Sequence, residues 1–397
     1  MKNLIYILLL FLSNQGLAQE LDIGIMRDYT LGTIEVSHNS GNYEIIGDTT
    51  LITNIWKGQS ILFKRSGDKI KVVKMDKTIG FYDSLTIRKM EIDNSIKIQC
   101  LAPASKKTRR YHDNFILTPE GTDAIKVINR VEMKNYLAGV IESEGGGGKH
   151  LEYYKVQAIL SRTYVLGHLR KHRKEGFQLC DRVHCQAYHN MLIYTPRITE
   201  AVSATRGVVM LNKSLKLAQG FYFANCGGQT SEADFVWNEP VSHCKSIIDT
   251  FCIKSRQANW KKEIDVSKWS NYLVSHFGYP VNDSIYGPII FNFSQPTRKA
   301  FYHYPQLGIP LRDLRIKFRL KSTWFSCKKV GNKVVLSGKG FGHGVGVCQE
   351  GAMGMARQNF KAEQILNFYF TEIHLMNYFT WSFYKHKDAR GEENAEL

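Results

Sequence analysis

The chain has 397 residues, of which 43% are hydrophobic, so it is long enough for two or three domains with well-developed cores. Lys and Arg outnumber Asp and Glu by 53 to 36, and the net charge of +17 favours an anionic partner: nucleic acid, a membrane surface or an acidic wall polymer. Because the sequence has no zinc-finger spacing, no RNP-like aromatic block and no basic run, no nucleic-acid partner is expected.

Residues 1–18 have the composition of a secretory signal peptide. Lys2 supplies the positive start, an apolar run follows, and a small-residue cleavage site ends at Ala18. We therefore expect the mature chain to begin near Gln19 and to be exported to the periplasm or cell envelope. The apolar run is short for a membrane span, but an uncleaved anchor stays open as an alternative.

Residues 19–124 alternate apolar and polar positions in short runs broken by Gly, Asn and Asp. This pattern predicts a strand-rich N-terminal region of antiparallel strands, and nothing in it indicates catalysis. Residues 125–380 mix helical and strand patterns, so the fold class expected for the chain is α+β. The polar segment 381–397 is predicted to be a tail, disordered from His386 onward.

A short amphipathic helix is predicted directly before four consecutive glycines. Leu137, Val140 and Ile141 recur at the spacing of one buried helical face, and the next position on that face is Glu144. A carboxylate in line with an apolar face loses water, which favours its protonated form, the state that a general acid needs. Glu142 is expected to face solvent. The alternative is that Glu144 is an ordinary carboxylate at a frayed helix end.

A second helix, about residues 151–169, is apolar on nearly every side and should be central and buried. Arg162 lies within it and needs a partner. One reading is a buried ion pair with a nearby carboxylate. The other is that Arg162 orients Glu144 or contacts a carboxylate of the substrate.

Two thiols and a histidine, Cys180, His184 and Cys185, fall within six residues and suggest a zinc site. A closed tetrahedral site needs a fourth ligand, for which His172, His168 and His189 are within reach, and we select His172. The competing interpretation is a Cys180–Cys185 disulfide, which suits an oxidising compartment.

The remaining cysteines show no nucleophile pattern. Cys226 has no marked Cys-His-Asn arrangement around it, which favours a pairing or packing thiol over a nucleophile. Cys244 and Cys252 flank a loop and could form a disulfide, although eight cysteines leave the connectivity open.

Glycines recur at every second position of residues 338–346 and do not follow a dinucleotide-binding spacing. In an extended strand this period leaves one face bare and places Lys339, Phe341, His343 and Val345 on the other. A bare face allows close approach of another backbone or of a flat sugar ring. Sheet packing alone also explains the glycines, but it does not explain the histidine among them.

Several segments together resemble the SpoIID/LytB family over roughly residues 125–375. Glu144 matches the catalytic glutamate of that family, although Gly145 and Gly146 stand where the family usually has Met-Pro. In the glycine-rich segment, Phe341 replaces a tryptophan and Cys348 replaces a serine. The resembling segments are YLAGVIESE at 136–144, KVQA at 155–158, RTY at 162–164, TRGVV at 205–209, FYFANCGGQT at 221–230 and GKGFGHGVGVCQEGA at 338–352.

The resemblance implies a peptidoglycan lytic transglycosylase, which cleaves the bond between N-acetylmuramic acid and N-acetylglucosamine and leaves a 1,6-anhydro end. It implies Glu144 as the catalytic acid and base, acting on glycan stripped of stem peptides, and a cell-wall amidase as a partner. It also favours a structural zinc over the disulfide. The substrate-binding residues it implies are Lys155, Arg162, Tyr164, Phe341, His343 and Gln349. The alternative within the family is a non-catalytic wall-binding activator of an N-acetylmuramoyl-L-alanine amidase.

Overall fold

The computed structural model describes residues 19–105, 107–146 and 148–393, so the predicted signal peptide lies outside the described residues. Helices and strands are both abundant, which confirms the α+β class. The described residues fold as two compact units, the first comprising those within 19–148 together with 165–204, and the second comprising 149–164 together with 205–393.

The first unit holds two antiparallel sheets and one parallel edge strand. The seven-stranded sheet has the order β13-β1-β12-β11-β8-β3-β4, and the six-stranded sheet has the order β10-β9-β2-β5-β6-β7. The strands are β1 (Glu20–Ile25), β2 (Thr33–Ser40), β3 (Tyr43–Gly47), β4 (Thr50–Ile55), β5 (Ser60–Ser66), β6 (Lys69–Lys74), β7 (Lys77–Tyr82), β8 (Leu85–Lys89), β9 (Ser95–Ala102), β10 (Thr108–His112), β11 (Asn114–Glu120), β12 (Ala124–Glu132) and β13 (Leu179–Cys180).

Alternating side chains bury one face of these strands. Ile34 and Val36 of β2, and Ile61 and Phe63 of β5, are fully buried, while the residues between them are half-exposed. This is the period-two pattern that predicted a strand-rich N-terminal region, which is confirmed. The domain boundary predicted at residue 125 falls inside β12, because that strand completes the first sheet by pairing with β1 and β11.

Three helices follow or interrupt this unit: α1 (Met133–Gly145), α2 (Leu151–Gly167) and α3 (Arg197–Ala204). In α1 the predicted apolar face is confirmed, since Leu137, Val140 and Ile141 are fully buried. The helix ends where Gly146 adopts a φ of 64°, a conformation that favours glycine. Nearly every residue of α2 is buried, as predicted for a central helix.

The second unit contains a three-stranded antiparallel sheet of order β16-β18-β17 and the two-stranded pairs β14-β20 and β15-β19. Its strands are β14 (Val208–Leu211), β15 (Tyr222–Phe223), β16 (Asn259–Asp265), β17 (Phe325–Val330), β18 (Lys333–Lys339), β19 (Val347–Cys348) and β20 (His374–Asn377). Its further helices are α4 (Asp234–Trp237), α5 (Val266–Phe277), α6 (Tyr286–Ile289), α7 (Leu311–Lys317), α8 (Gln349–Arg357), α9 (Ala362–Tyr369) and α10 (Tyr378–Glu393).

An aromatic core holds the three-stranded sheet and α5 together. Trp269 of α5 is fully buried and packs edge-on against Phe325 of β17, with ring centroids 6.3 Å apart. Trp260 of β16 lies directly opposite Gly338 of β18, and its indole occupies the space that a Cβ at 338 would need. Gly338 therefore permits the close packing of this core.

The C-terminal segment ends in α10, whose backbone is helical through Glu393. The polar tail expected over residues 381–397 stays a prediction. Among the described residues, no helix is both long enough and apolar enough to cross a membrane.

Replacing Gly338 with alanine should lower the free energy of unfolding by about 1–3 kcal/mol, because the new methyl group must displace the Trp260 indole. Urea unfolding followed by tryptophan fluorescence measures the change. Ser337→Ala, at the neighbouring exposed position, is the matched control and should change stability by less than about 0.5 kcal/mol. Equal stability of the two variants would contradict this account of the core.

Candidate functional site

Glu144 lies in the last turn of α1, and its carboxylate is fixed by a backbone amide. The N–H of Ala187 donates to Oε1 of Glu144 at 2.8 Å. The side chain of Glu144 is half-buried and Ala187 is buried, so the protein partly shields this hydrogen bond from bulk water. The bond therefore sets which way the carboxyl group points.

Neighbouring side chains of the same helical turn bind the chain that follows Ala187. Ser143 Oγ accepts from the N–H of His189 at 3.3 Å, and Glu142 accepts from the N–H groups of Ile193 and Tyr194 at 2.8 and 3.0 Å. The expectation that Glu142 faces solvent is wrong, because its half-buried carboxylate satisfies these two loop amides. Three consecutive residues of α1 thus hold one irregular segment in place.

A glycine allows that segment to lie against the helix. A Cβ at Gly139 would clash with the carbonyl oxygen of Asn190 and would come within 2.6 Å of the Tyr188 ring. The Tyr188 ring also stacks edge-on against Tyr136, and Tyr136 Oη donates to the side chain of Gln186 at 3.3 Å. We name residues 186–194 the α1-bound loop.

Four donors immediately before the α1-bound loop form a candidate metal centre. The ligand atoms of His172, Cys180, His184 and Cys185 all lie within 4.8 Å of one another. Cys185 Sγ is 3.4 Å from His172 Nε2 and 3.8 Å from His184 Nδ1, and Cys180 Sγ is also 3.8 Å from His184 Nδ1. Ligands about 2.0–2.3 Å from a tetrahedral zinc are about 3.3–3.8 Å apart, so the spacing fits. His172 is brought to the cluster as the fourth donor.

The surroundings of His172 are compatible with a role as a metal ligand. Its Nδ1 hydrogen-bonds the carboxylate of Glu175, which leaves Nε2 directed at the cluster. The hydrogen bond from His172 lowers the pKa of Glu175. The His172 ring stacks on Phe177 at 5.0 Å, and Phe177 in turn fills the space beside Gly24 of β1.

Cys180 belongs to the sheet edge. It is the last residue of β13, where it pairs with Gly24 in parallel register. Both Cys180 and Cys185 are buried, and their sulfur atoms belong to a cluster that could hold a metal. The hydrogen bond with Cys185, followed by burial, raises the pKa of Cys180 to about 12, so a cation would have to displace its proton.

Asp181, which the sequence analysis missed, anchors the same segment. Its fully buried carboxylate pairs with Arg109 at 2.7 Å and accepts from the N–H groups of Met26 and Arg27 at 2.6 and 3.2 Å. Burial raises the pKa of Asp181, while the Arg109 guanidinium and the two amides oppose that shift. No local sequence spacing indicates this bond, since Arg109 lies 72 positions away.

The substrate-binding residues predicted in α2 serve contacts within the second unit. Arg162 is buried and its Nη1 donates to the carbonyl oxygen of Val208 at 3.0 Å, and burial lowers the pKa of Arg162 to about 10. Lys155 pairs with Glu152 at 2.8 Å, and Glu152 also accepts from the N–H of Ala362. Tyr164 is half-buried in the same helix.

The glycine-rich segment is not the strand that was predicted. Gly340, Gly342, Gly344 and Gly346 have φ values of 76°, 117°, 94° and 77°, so the backbone between β18 and β19 is irregular. Only glycine adopts these conformations readily, which explains the alternation without an extended strand. The prediction that the side chains between these glycines share one face of a strand is therefore wrong.

His343 is held by this irregular backbone at both ring nitrogens. Its Nδ1 accepts from the N–H of Val345 at 3.1 Å, so Nε2 carries the proton and donates to the carbonyl oxygen of Tyr222 at 3.0 Å. Burial lowers the pKa of His343 to about 4, so the ring is neutral at pH 7. Contact with a sugar through either nitrogen would require breaking one of these bonds.

Phe341 and Gln349 complete the predicted set. Phe341 is 42% exposed, and the Lys321 ammonium lies 6.0 Å from the centre of its ring. An exposed aromatic ring beside a cation is suited to stacking on a sugar or on another flat group. Gln349 is half-buried at the first position of α8.

Stability should fall as the pH falls from about 6.5 to about 4, because the unfolded chain takes up a proton at position 343 that the folded chain excludes. His343→Gln keeps an amide donor and acceptor but does not titrate, so its stability should depend less steeply on pH over this range. Urea unfolding at several pH values measures the slope. His374→Gln, at an exposed position, is the control and should retain the wild-type slope. Identical slopes for His343→Gln and wild type would contradict the assignment.

Comparison with known proteins places these residues in a family context. Residues 121–211, which include α1, α2 and the candidate metal centre, match the family model described as SpoIID, Stage II sporulation protein. An uncharacterized protein of Brachyspira hyodysenteriae is 27% identical over 68% of this chain and 73% of its own length.

Two relatives from Bacillus subtilis carry functional names. Its Stage II sporulation protein D is 23% identical over 68% of this chain and 81% of that protein. Its Amidase enhancer is 26% identical over 61% of this chain, but only 40% of that protein is matched. The family model and these relatives agree with the resemblance in the motifs and support assignment of the chain to the SpoIID/LytB family.

Proposed function

We propose that this protein is an exported peptidoglycan lytic transglycosylase in which Glu144 is the catalytic acid and base. Similarity to the SpoIID/LytB family and the names of the relatives support a role related to the bacterial cell wall. The observation that carries the finer proposal is the fixed carboxyl group of Glu144 at the glycine end of α1, held by the Ala187 amide.

The geometry indicates which oxygen would carry the catalytic proton. An amide N–H can only donate, so Oε1 of Glu144 must accept in both protonation states of the acid. The proton of the acid form therefore resides on Oε2. That oxygen would donate to the glycosidic oxygen between N-acetylmuramic acid and N-acetylglucosamine as the bond to C1 breaks.

One carboxyl group is sufficient for the rest of the reaction. The C6 hydroxyl of the muramic acid attacks C1 and closes a 1,6-anhydro ring, and its proton returns to the Glu144 carboxylate. Ordinary glycosidases need a second carboxylate to activate water or to form a covalent intermediate. The intramolecular hydroxyl replaces both. Consistent with this scheme, the nearby Glu142 is committed to the amides of Ile193 and Tyr194.

The proposed role of the metal centre is structural. His172, Cys180, His184 and Cys185 would hold zinc, which would cross-link the segment that leads into the α1-bound loop. Only one residue separates Cys185 from Ala187, whose amide holds Glu144. Zinc would supply rigidity at this point and no chemical step.

The predicted glycan-binding residues differ in how exposed they are. Phe341, with its exposed ring beside Lys321, is the predicted residue best suited to stacking on a sugar. Arg162, Lys155, Tyr164, His343 and Gln349 remain predicted substrate-binding residues by their place in the family motifs. The net charge of +17 suits an anionic wall.

The second candidate function is activation of a cell-wall amidase without catalysis. The observation that favours it is the similarity to a protein named Amidase enhancer. This function needs glycan or amidase binding and does not need Glu144 as an acid, so one substitution separates the two proposals.

Glu144→Gln should reduce the formation of 1,6-anhydromuramyl ends by about a hundredfold to ten-thousandfold, the usual contribution of a general acid and base. The mature chain and the variant are incubated with purified peptidoglycan, with and without stem peptides, and the products are identified by mass spectrometry. Glu200→Gln, an exposed glutamate of α3, makes the same charge change and should cleave normally. If the wild-type chain makes no anhydro ends but binds glycan and accelerates an added amidase, the activator function replaces the enzyme.

Loss of the metal should lower cleavage through the position of Glu144. Cys185→Ser should therefore lose both the metal at this centre and most of the activity, whereas Glu144→Gln should lose activity and retain the metal. Metal per chain is measured by plasma mass spectrometry alongside the cleavage assay. Full activity of a Cys185→Ser chain that has lost this metal would refute the structural role.

A further inference from the structure

A second cluster of side chains that could hold a metal ion lies in the second unit and includes two cysteines of the family-like segments. Cys226, Asp249, Cys252 and Cys348 are all buried, with at most 1% of any of them exposed. Their three sulfur atoms and one carboxylate oxygen lie within 4.8 Å of one another. They come from three separate stretches of the chain, so the fold has brought them together.

The backbone around these residues explains their convergence. Cys348 ends β19, which pairs in parallel with β15 through Phe223, and Cys226 follows β15 by three residues. The N–H of Asp249 donates to the carbonyl oxygen of Gly228. Asp249 and Cys252 lie in the turn that begins at this hydrogen bond. A β-pair and a tight turn therefore point the four side chains at a common centre.

The distances fit a small cation. Cys226 Sγ lies 3.2 Å from Cys252 Sγ and 3.2 Å from Oδ2 of Asp249. Sulfur ligands about 2.3 Å from a tetrahedral zinc are about 3.8 Å apart, so a small expansion of the cluster would seat the ion. Zinc accepts this set of three thiolates and one carboxylate, since it binds both sulfur and oxygen.

Backbone amides are directed at the sulfur atoms. The N–H groups of Cys226 and Gly351 donate to Cys348 Sγ at 3.2 and 3.3 Å, and the N–H of Gly228 donates to Cys226 Sγ at 3.4 Å. Donors around a sulfur stabilise its thiolate, and such outer contacts are typical of metal-bound cysteines. The bond from Gly351 also caps the N-terminus of α8, where Cys348 is the N-cap residue.

The carboxylate is oriented in the same way. Tyr369 Oη donates to Oδ2 of Asp249 at 2.8 Å, and the N–H of Phe251 donates to Oδ1 at 2.9 Å. Gly351 leaves the space for this arrangement, because a Cβ there would clash with both Asp249 and Tyr369.

A buried guanidinium group lies beside the cluster and would be stabilised by negative charge there. Arg298 is 7% exposed, and its guanidinium donates to the carbonyl oxygens of Cys226 and Gln229 at 2.8 and 2.7 Å. Within the described chain, no carboxylate forms an ion pair with it. Zinc with three thiolates and one carboxylate has a net charge of −2, which Arg298 would partly neutralise.

We propose that Cys226, Asp249, Cys252 and Cys348 form a second, structural zinc site that fastens the glycine-rich segment before α8 to the turn at 249–252. Binding releases to solvent the protons of those thiols that are still protonated, and no oxidation is involved. This proposal is independent of the catalytic role of Glu144. The competing state of the same residues is a Cys226–Cys252 disulfide, which requires an oxidant and leaves no metal.

The test is the number of zinc ions per mature chain, purified without chelators and analysed by plasma mass spectrometry. A Cys180→Ser, Cys185→Ser chain should still carry one zinc, and adding Cys226→Ser and Cys348→Ser should remove it. Cys327→Ser is the matched control, because this buried thiol lies outside the cluster. This substitution should leave the number of zinc ions per chain unchanged. The proposal is overturned if the Cys180→Ser, Cys185→Ser chain carries no zinc and peptide mapping finds Cys226 joined to Cys252.

A second measurement does not depend on the four-fold variant folding. Cobalt(II) exchanged into the Cys180→Ser, Cys185→Ser chain should give sulfur-to-cobalt charge-transfer absorption, because three thiolates remain as ligands. In the wild-type chain the two centres together should absorb more strongly. Absence of this absorption in the folded Cys180→Ser, Cys185→Ser chain would overturn the second site and leave the first untouched.

Discussion

The candidate site depends on hydrogen bonds from the α1-bound loop to the last turn of α1. An irregular segment has no neighbouring strand whose carbonyl groups accept from its N–H groups, so side chains must provide acceptors instead. Glu142, Ser143 and Glu144 provide those acceptors in consecutive positions. A backbone N–H consequently helps to fix the direction of the Glu144 carboxyl group.

That loop is in turn connected to the sheet of the first unit. Cys180 extends the sheet beside Gly24, and the buried pair between Asp181 and Arg109 ties the next residue to β10. The chain then passes through the metal-binding cluster and reaches Ala187 two residues after Cys185. Each connection is short, so the position of Glu144 follows from the rigid sheet rather than from the glycine-rich end of its helix.

The features that could be predicted from the sequence are those with a local cause. The buried face of α1 and the burial of α2 follow from hydrophobic spacing within one helix, and His172 is close in sequence to the other three donors of its cluster. The environment of Glu142 could not be predicted, because its partner Ile193 lies 51 positions away. The alternating glycines predict a strand that the structure does not have, since their period does not reveal the sign of φ. The cluster around Cys226 and Cys348 has no spacing motif and emerges only from the parallel pairing of β15 with β19.

A single carboxyl group that acts first as an acid and then as a base must keep its position while its charge changes. A partner such as Arg or Lys would stabilise only the carboxylate, and it would resist the protonated form. The Ala187 amide is neutral, and it can donate to Oε1 whether Oε2 is protonated or not. Under the proposed chemistry, this contact therefore fixes geometry while favouring the carboxylate less strongly than a charged partner would.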